Sequence, residues 1–321
     1  MNAQDQSPLI SVVVATRNRS RRLEGLLGSL RCQTVEAQDF EVIVVDDGSS
    51  DGTREMLLAE ADSGTLSLKA ISLGGSGPAV ARNAGWRAAQ APLVAFTDDD
   101  CEATEAWLSE LLAAAGRSPG AILQGPTTPI PRERAAQGPY TRTRSIQSAG
   151  PWYETCNIAY PRDLLERIGG FDERFPEALG EDTELGWRAR ASGGRLVFVP
   201  EAAVHHAVDY VGPLGKLREA TIGIDSVLVF KLHPGLRRET AAMGIFRNRY
   251  LARGLLALAG LAIARRRRVG VVLAAPYTAD LARRIRAART GPWHAGFLLA
   301  YDFVAACSAV RGAIRHRIMV L

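Results

Sequence analysis

The sequence predicts an α/β fold: a doubly wound, mostly parallel sheet with helices on both faces, followed by a helical C-terminal tail. Apolar, β-branched segments of strand length alternate with segments whose leucines recur at helical spacing. This alternation is typical of parallel sheets with crossover helices. Polar loops also follow three of the expected strands, which is where open sheets of this kind bind ligands.

The first expected strand, residues 9–15, is a near-continuous apolar run, as a strand covered on both faces requires. After the polar residues 16–19, Ser20 is a suitable helix cap. Leu23 and the leucines that follow it at helical spacing fall on one side of the helix. The chain is therefore expected to begin with a strand, a loop and an amphipathic helix.

A second buried strand is expected over residues 40–45, and its turn-rich polar end leads into another helix. A weaker strand follows over residues 68–72. The glycine-rich residues 74–78 match neither a full dinucleotide fingerprint nor a lysine-containing phosphate loop. We expect these glycines to turn the backbone tightly before a helix over residues 79–90 that carries Arg82 inward.

Residues 93–100 place three consecutive acids, Asp98, Asp99 and Asp100, directly after a run that predicts a buried strand. Adjacent carboxylates repel one another, and a hard divalent cation offsets that repulsion with oxygen ligands. Such an ion usually also bridges a substrate's phosphates. The alternative is that the acids favour the positive end of a following helix, and the residues alone leave both interpretations open.

The loops at residues 16–19, 46–50 and 98–100 each follow an expected parallel strand. Because the carboxyl ends of parallel strands lie at one edge of the sheet, we expect the three loops to meet there. Together they describe a nucleotide pocket with a base-binding acid, a phosphate-facing metal and cationic support from Arg82. This convergence is stronger evidence than any single motif.

Residues 124–150 are rich in proline, glycine, threonine and arginine, and they are expected to form a long, mobile segment over the pocket. Helices expected over residues 104–115 and 161–168 flank it. The arginines of the segment are expected either to steer anionic substrates or to lie in solvent. They are Arg132, Arg134, Arg142 and Arg144.

The acids Glu181, Asp182 and Glu184 crowd at the start of another expected helix. Asp182 suits an N-cap, but capping by one acid does not explain three. The pair His205 and His206 follows a short strand. A histidine near a carboxylate cluster can complete a metal shell, and a structural role for the pair is the alternative.

The 321-residue chain is long enough for one large domain, or for one domain with an appendage. Its four cysteines show no CxxC pairing and suit a reducing compartment. Residues 1–8 lack the basic-then-apolar pattern of a signal peptide. We therefore expect the body of the protein to lie in the cytoplasm.

Charge divides the chain. Residues 240–321 hold fourteen arginines, no lysine and two acids, a net charge of +12, whereas residues 1–239 carry −7. Arginines at 265–268 and Asp302 interrupt the apolar stretches of the tail, so none reaches the ~18 residues of a simple membrane span. Helices lying on an anionic membrane surface are expected, with a helical cap or dimer interface as the alternative. Few aromatics and no recognisable motif argue against nucleic acid as a partner.

Between about residues 10 and 206 the chain resembles the family 2 glycosyltransferases, which have the GT-A fold. Six motifs carry the resemblance, and they occur in order. They are residues 12–19 (VVVATRNR), 44–49 (VVDDGS), 77–85 (GPAVARNAG), 96–100 (FTDDD), 169–173 (GGFDE) and 180–185 (GEDTEL).

The resemblance implies a nucleotide-diphosphate sugar as the donor, with Asp47 at the nucleobase. It implies a DxD pair, Asp98 and Asp100, that holds Mg²⁺ or Mn²⁺ with the donor's diphosphate. The middle position is another acid, so which carboxylates touch the ion stays open. The implied donor residues are Thr16, Arg17, Asp47, Arg82, Asp98 and Asp99, and the implied metal ligands are Asp98, Asp100 and His205 or His206.

Asp182 of the Glu-Asp motif is the implied catalytic base. A base on the opposite face of the sugar from the leaving diphosphate inverts the anomeric centre, so an inverting reaction is expected. Glu181 and Trp187 are expected on the acceptor side.

These expectations describe a metal-dependent, inverting glycosyltransferase with a catalytic domain at residues 1–212 and a basic, apolar helical region at residues 213–321. The tail favours a peripheral position at the inner face of the plasma membrane. It also favours a saccharide or lipid-linked acceptor of the cell envelope, and a homodimer is a further alternative. The alternatives are a nucleotidyltransferase, which would release pyrophosphate, and a non-catalytic nucleotide-sugar-binding module.

Overall fold

The structure, a computed structural model, describes residues 7–222, 224, 226–241, 249–264 and 268–320. The strands of this part of the chain are β1 Ile10–Thr16, β2 Phe40–Asp46, β3 Leu68–Ser72, β4 Leu93–Thr97, β5 Cys101–Ala103, β6 Ile122–Gln124, β7 Thr127–Pro129, β8 Thr141–Arg142, β9 Asn157–Pro161, β10 Leu196–Phe198, β11 Val204–His206 and β12 Asp209–Tyr210.

The helices begin and end as follows. They are α1 Ser20–Arg31, α2 Thr53–Ser63, α3 Pro78–Ala88, α4 Trp107–Arg117, α5 Arg162–Ile168, α6 Glu181–Ala191, α7 Gly212–Ile222, α8 Val227–Leu232, α9 Pro234–Thr240, α10 Arg249–Ala264, α11 Ala275–Ala287 and α12 His294–His316, with 3-10 helices at Pro131–Ala136 and Arg268–Ala274.

The main sheet of the described residues has seven strands in the order β10-β6-β9-β4-β1-β2-β3. Neighbouring strands are parallel except where β9 inserts antiparallel between β6 and β4. Val12 and Val14 of β1 belong to a core that includes α1 and α4, whereas α3 packs on the sheet at β1 and β2. The predicted doubly wound, mostly parallel sheet is confirmed.

The strand register brings the polar loops together. Thr16 pairs with Asp46 where β1 and β2 end, and Asp46 pairs with Ser72 of β3. The Ser50 amide then donates a 2.7 Å hydrogen bond to the Asn18 side chain, which joins the first two loops. The expectation that these loops share one edge of the sheet is therefore confirmed.

One expected helix starts later than predicted, and one expected loop segment contains regular structure. The predicted helix from residue 104 begins at Trp107, because the Thr104 amide and hydroxyl both bond the Ala203 carbonyl. Residues 124–150 are also more regular than a loop, since β7, a 3-10 helix and β8 lie within them. Both misreadings come from short strands whose pairing partners are distant in sequence.

The chain divides into two compact units. The first comprises Met1–Ala135 and Thr143–Val208 and contains the main sheet; the second comprises Ala136–Arg142 and Asp209–Leu321. The short 136–142 segment belongs to the second unit because β8 pairs antiparallel with β12. One described helix of the second unit, α12, is long and apolar enough by length and composition to cross a membrane. Residues 242–248 and most of the arginine run at 265–268 lie outside the described residues.

Candidate active site

The three acids after β4 do not start a helix. Cys101–Ala103 forms strand β5 directly after them, and the next helix begins only at Trp107. A helix dipole acts within about its first turn, so the interpretation of these acids as a helix-terminus feature is wrong. The acids instead contact Thr16 and His206 at the ends of other strands, Arg19 in the loop after β1, and Arg82 on α3.

Asp99 points back toward the first strand. Its carboxylate accepts a 2.7 Å hydrogen bond from the Thr16 hydroxyl and lies 3.5 Å from the Arg19 guanidinium. Burial raises the pKa of Asp99 to about 7, against the opposing effect of Arg19. Thr16 and Asp99 are both buried and bonded to each other, which fastens the acid motif to the end of β1.

Asp100 faces a histidine. Its Oδ1 lies 3.3 Å from Nε2 of His206, and both side chains are buried. The other ring nitrogen of His206, Nδ1, lies 2.9 Å from the Ala207 carbonyl, which can only accept, so Nδ1 carries the proton. In the neutral imidazole, the lone pair of Nε2 then faces a carboxylate oxygen. Two acceptors that face each other can share a cation. A metal-ligating histidine usually donates its other ring N–H to a carbonyl or carboxylate, as His206 does here.

Strand geometry separates the two histidines. Adjacent residues of a strand point to opposite sides, and in β11 His206 turns toward Asp100 while His205 hydrogen-bonds the Thr128 hydroxyl at 2.9 Å. Asp100, Cys101 and His206 bring their ligand atoms within 4.8 Å of one another. The Cys101 thiol lies 3.9 Å from the Cys156 carbonyl, and burial raises its pKa well above the usual range, so the thiol stays protonated beside the carboxylate and imidazole.

Arg82 connects the acids after β4 to the Glu-Asp motif. Helix α3 carries this buried arginine inward, where Nη1 donates to Glu181 at 2.8 Å and Nη2 donates to Asp98 at 3.1 Å. Burial alone lowers the pKa of Arg82, but Glu181, Asp98 and Asp182 outweigh it and the net pKa is raised. The guanidinium therefore stays charged at the centre of an acidic cluster.

Asp98 is the most exposed of the three consecutive acids. Burial raises its pKa, but Arg82 first, then His206 and Arg144, lower it, and the net direction is down. Asp98 thus stays ionised and faces the opening of the site. Of the four arginines in the 124–150 segment, Arg144 is the one whose charge lowers the pKa of Asp98.

Asp182 does not cap its helix. Gly180 occupies the N-cap position with φ 103°, and Asp182 is the second residue of α6, so the capping interpretation is wrong. Its Oδ1 accepts a 2.7 Å hydrogen bond from the Thr183 amide. Burial, and then the charge of Glu181, raise the pKa of Asp182 to about 8. A carboxylate with this pKa is a much stronger base than an ordinary aspartate.

Two loops meet at Asp47, where the nucleobase is expected. The Asp47 carboxylate accepts backbone hydrogen bonds from Ser76 at 2.6 Å and Gly77 at 2.8 Å. Gly75 and Gly77 have φ of 89° and 93°, the left-handed region expected of the tight turn. A Cβ on Gly75 would stand 3.4 Å from the exposed Arg17 guanidinium, so Arg17 lies over this turn.

The profile of glycosyl transferase family 2 matches residues 11–172, about half of the chain. This stretch contains the polar loops, the three acids and Arg82. The chain belongs to glycosyl transferase family 2.

Curated relatives of this family 2 chain include validoxylamine A glucosyltransferase of Streptomyces hygroscopicus subsp. jinggangensis (strain 5008), 34% identical over 227 residues. That match covers 60% of this chain and 53% of the relative, so the chain spans about half the relative's length. Glycosyltransferase AglE of Haloferax volcanii is 25% identical over 248 residues, covering 74% of this chain and 80% of AglE.

Solved structures place the family 2 chain in the GT-A fold. The mannosyltransferase PcManGT from Pyrobaculum calidifontis, in complex with GDP-Man and Mn²⁺, matches with a TM-score of 0.64 and 23% identity over 95% of this chain and 88% of that one. S. aureus TarS 1-349 in complex with UDP-GlcNAc matches with a TM-score of 0.51 and 19% identity over 96% of this chain and 92% of that one. The predicted GT-A fold is confirmed.

Two residues expected on the acceptor side of this family 2 site are buried. Glu181 is 2% exposed and bonds Arg82, and Trp187 is 8% exposed and donates its indole N–H to the Pro151 carbonyl at 2.9 Å. Direct contact with an acceptor is not what this geometry offers, and both expectations are corrected. Glu181 precedes Asp182 directly, but neighbouring residues of a helix point in different directions.

Arg19 is a residue of this family 2 site that sequence reasoning missed. Its guanidinium donates to Asp100 and lies 3.5 Å from Asp99, so one cation holds two of the three consecutive acids. A signal was available, because Arg19 lies in the polar loop after the first strand that was already expected to meet those acids.

Proposed function

We propose that this chain is an inverting, metal-dependent glycosyltransferase that moves a sugar from a nucleotide-diphosphate sugar to an acceptor hydroxyl. The observation that carries the proposal is the convergence on Arg82: one buried guanidinium contacts Asp98 of the three-acid motif and Glu181, the neighbour of Asp182. Acids far apart in sequence thus line one charged site.

Asp98, Asp100 and His206 are the side chains that would hold a divalent cation, Mg²⁺ or Mn²⁺. Carboxylate oxygens suit both ions, and the His206 imidazole would complete the ligand set. When bound, the ion would supply positive charge to the donor's diphosphate. Arg82 places a second positive charge on the same side of the site, where it stabilises negative charge developing on the leaving group.

Asp182 takes the proton of the acceptor hydroxyl. Its raised pKa, about 8, keeps the carboxylate basic enough to share that proton as the hydroxyl attacks. Glu181 positions Arg82 by accepting its hydrogen bond. The negative charge of Glu181 also helps to raise the pKa of Asp182. Attack from the side opposite the diphosphate inverts the anomeric centre, which defines the stereochemical outcome we propose.

The relatives set the donor and acceptor classes to test. Their names include a glucosyltransferase acting on validoxylamine A, and the solved neighbours are complexes with GDP-Man and UDP-GlcNAc. We propose a hexose carried by UDP or GDP as donor, and a saccharide or lipid-linked saccharide of the cell envelope as acceptor.

A product assay tests this function. The protein is incubated with Mn²⁺, with UDP-glucose, UDP-GlcNAc or GDP-mannose, and with saccharide acceptors, and the phosphate products are measured. A glycosyltransferase releases a nucleoside diphosphate, whereas a nucleotidyltransferase would release pyrophosphate. Donor binding without release of either product would instead identify a non-catalytic binding module.

The two histidines provide a matched pair for the metal site. We expect Mn²⁺ with a bound donor to raise the melting temperature of the wild-type protein by about 5 °C or more at saturating concentration. His206→Ala should lose most of this Mn²⁺-dependent rise, because it removes the ligand that faces Asp100, while His205→Ala should keep it. An equal rise in both variants would contradict the assignment of His206.

We propose that residues 1–212 act as the catalytic domain and that residues 213–321 bind the inner face of the plasma membrane. Residues 240–321 contain two acids, and both are paired. Asp280 contacts Arg253 and Arg283, and Asp302 bonds Arg284 at 2.7 Å. The remaining arginines therefore leave a net positive surface. Large exposed apolar side chains accompany it, among them Leu255, Leu258, Leu261, Val272, Phe303 and Ile314.

Vesicle flotation tests the membrane proposal. The full chain should float with vesicles of phosphatidylglycerol and phosphatidylcholine and bind pure phosphatidylcholine weakly. Reversing two exposed tail arginines with Arg286→Glu and Arg311→Glu should weaken binding at least about tenfold, since each basic residue near the surface contributes ~1 kcal/mol.

The matched control reverses two exposed arginines of the first unit, Arg54→Glu and Arg195→Glu, which gives the same net charge. This control should bind nearly as well as the wild-type protein. Equal losses in the two double variants would show that overall charge, and not the tail surface, governs binding. A dimer mass in solution with no flotation would favour the dimer-interface alternative.

A further inference from the structure

The backbone of an exposed tryptophan, Trp152, lies close to the proposed base through Thr183. Trp152 is 40% exposed although it belongs to a segment that is otherwise fastened to helix α6. The Thr183 hydroxyl lies 2.8 Å from the Trp152 carbonyl and 3.3 Å from Oδ1 of Asp182. The hydroxyl donates its single proton to the nearer acceptor, the Trp152 carbonyl, and so holds that backbone next to the residue proposed as the base.

Three contacts fix the backbone of residues 151–153 along α6. Besides the bond from Thr183, the Trp187 indole donates to the Pro151 carbonyl at 2.9 Å. The ring of Tyr153 packs on Gly186, where an added Cβ would stand 2.0 Å from the ring. Positions 183, 186 and 187 share one side of a helix, so the segment runs along the turn that follows Asp182.

Tyr153 adopts φ 55°, a left-handed conformation that is unfavourable for a residue with a side chain. Tyr153 is 4% exposed and buries its ring, while its neighbour Trp152 stays in solvent. The left-handed turn allows consecutive aromatic residues to take these different environments. A conformation of this kind persists only where surrounding contacts hold it, and such residues cluster at ligand-binding positions.

The chemistry of an exposed indole matches one class of acceptor. The face of an aromatic ring carries partial negative charge, and a sugar ring presents several partly positive C–H groups on one side. Stacking of a pyranose on a flat aromatic face therefore buries apolar area and gains electrostatic attraction. The acceptor's hydroxyls remain free to reach a base at the edge of the ring.

We propose that Trp152 is the platform on which a saccharide acceptor stacks, with the reacting hydroxyl directed to Asp182. This inference rests on the proposed glycosyltransferase function and adds the acceptor subsite to it. The proposed acceptor-side residue is thus Trp152 and not the buried Trp187. The hydrogen bond from the Trp187 indole to the Pro151 carbonyl helps to hold Trp152 in place. This inference also commits to a sugar ring, and not a bare lipid chain, as the part of the acceptor nearest the base.

Saturation-transfer NMR with methyl α-D-glucopyranoside, methyl α-D-mannopyranoside and maltose tests the platform without requiring turnover. The wild-type protein should saturate the C–H protons of at least one probe. Trp152→Ala and Trp152→Leu should reduce that signal at least fivefold, because leucine keeps apolar bulk but lacks a flat face. Trp152→Phe should retain most of it. Trp293→Ala, which removes another exposed tryptophan, is the control.

Kinetics separate a stacking role from a structural one. In Trp152→Ala the KM for the acceptor should rise about tenfold, the size expected for losing an aromatic contact of this kind, while donor hydrolysis in water stays within twofold of the wild-type rate. Melting temperatures of all variants should agree within a few degrees, since the side chain is exposed.

Failure of the two proposals would look different. Wild-type protein that releases no nucleoside diphosphate from any donor would overturn the proposed function, whatever the NMR result. Normal donor turnover, with saturation transfer equal in the wild-type, Trp152→Ala and Trp152→Leu proteins or absent for all three probes, would overturn the platform alone.

Discussion

Replacing Asp182 with asparagine is expected to lower turnover with acceptor at least about a hundredfold, the usual contribution of a positioned general base. The amide keeps the shape of the side chain and can still accept the hydrogen bond from the Thr183 amide, but it cannot take a proton. Donor affinity should change by less than about threefold, because Arg82 and the residues proposed to hold the metal are untouched. Steady-state kinetics and donor titrations measure the two effects.

The pH dependence gives Asp182 a second signature. The base works when deprotonated, so the wild-type rate should rise as pH increases toward about 8 and then level off. The residual rate of Asp182→Asn should lack this rise. A wild-type rate that is flat between pH 6 and 9, or an asparagine variant with unchanged turnover, would remove Asp182 from its role.

As pH rises, the stability of the wild-type protein should fall while its activity rises. The pKa of Asp182 is about 8 in the folded protein and near its usual value of 3.8 when unfolded. The folded state therefore binds this proton more tightly, and the stability this contributes is complete below about pH 4 and lost as pH rises through 8. The asparagine of Asp182→Asn does not titrate. The difference in melting temperature between this variant and the wild-type protein should therefore shift in the variant's favour as pH rises from 6 to 9.

An exposed aspartate of the same unit provides the control for these measurements. Asp163 lies on α5, is 68% exposed and pairs with Arg167 one helical turn away. Asp163→Asn removes the same charge far from any proposed chemistry. It should leave turnover, its pH profile and the melting temperature close to wild-type values, since exposed ion pairs contribute little to stability.

Local sequence patterns were enough to predict the main strands. β3 and β4 occupy the predicted residues 68–72 and 93–97. Strand β4 is buried on both faces and is therefore a continuous apolar run, whereas β3 is a partly exposed edge strand with the weaker pattern. The convergence of three polar loops also followed from sequence, since parallel pairing fixes where strand ends lie. Both inferences need only periodicity and topology.

Side-chain direction was beyond the sequence. His205 and His206 differ only in which side of β11 they face, and that depends on pairing with β5 and β7, some 75 to 105 positions earlier. Glu181 and Trp187 were expected on the acceptor side, yet Glu181 is buried on Arg82, 99 residues away. Trp152 carried no motif, and its exposure results from contacts that only the folded chain provides.

Replacing Arg82 with methionine is expected to lower the free energy of unfolding by about 3–5 kcal/mol, the usual cost of removing one partner from a buried ion pair. Methionine fills a similar volume, but Glu181 would stay buried with no counter-charge, and one of its oxygens already lacks a hydrogen-bond partner among the described residues. Chemical denaturation measures the loss. The control, Arg87→Met on the same helix, removes an exposed arginine 3.7 Å from Glu173 and should cost less than about 1 kcal/mol.

Adding Glu181→Gln to Arg82→Met separates the two roles of the arginine. A neutral glutamine relieves the uncompensated charge, so the double variant should recover stability, with a coupling energy of about 1–3 kcal/mol between the two positions. Donor binding should not recover, because the cation that faces the diphosphate is still missing. Buried ion pairs can often be replaced by neutral side chains without loss of stability, so a stable double variant that binds donor as well as the wild-type protein would show that Arg82 is a structural residue. A stable double variant that fails to bind donor would show instead that this arginine is present for the chemistry of the leaving group.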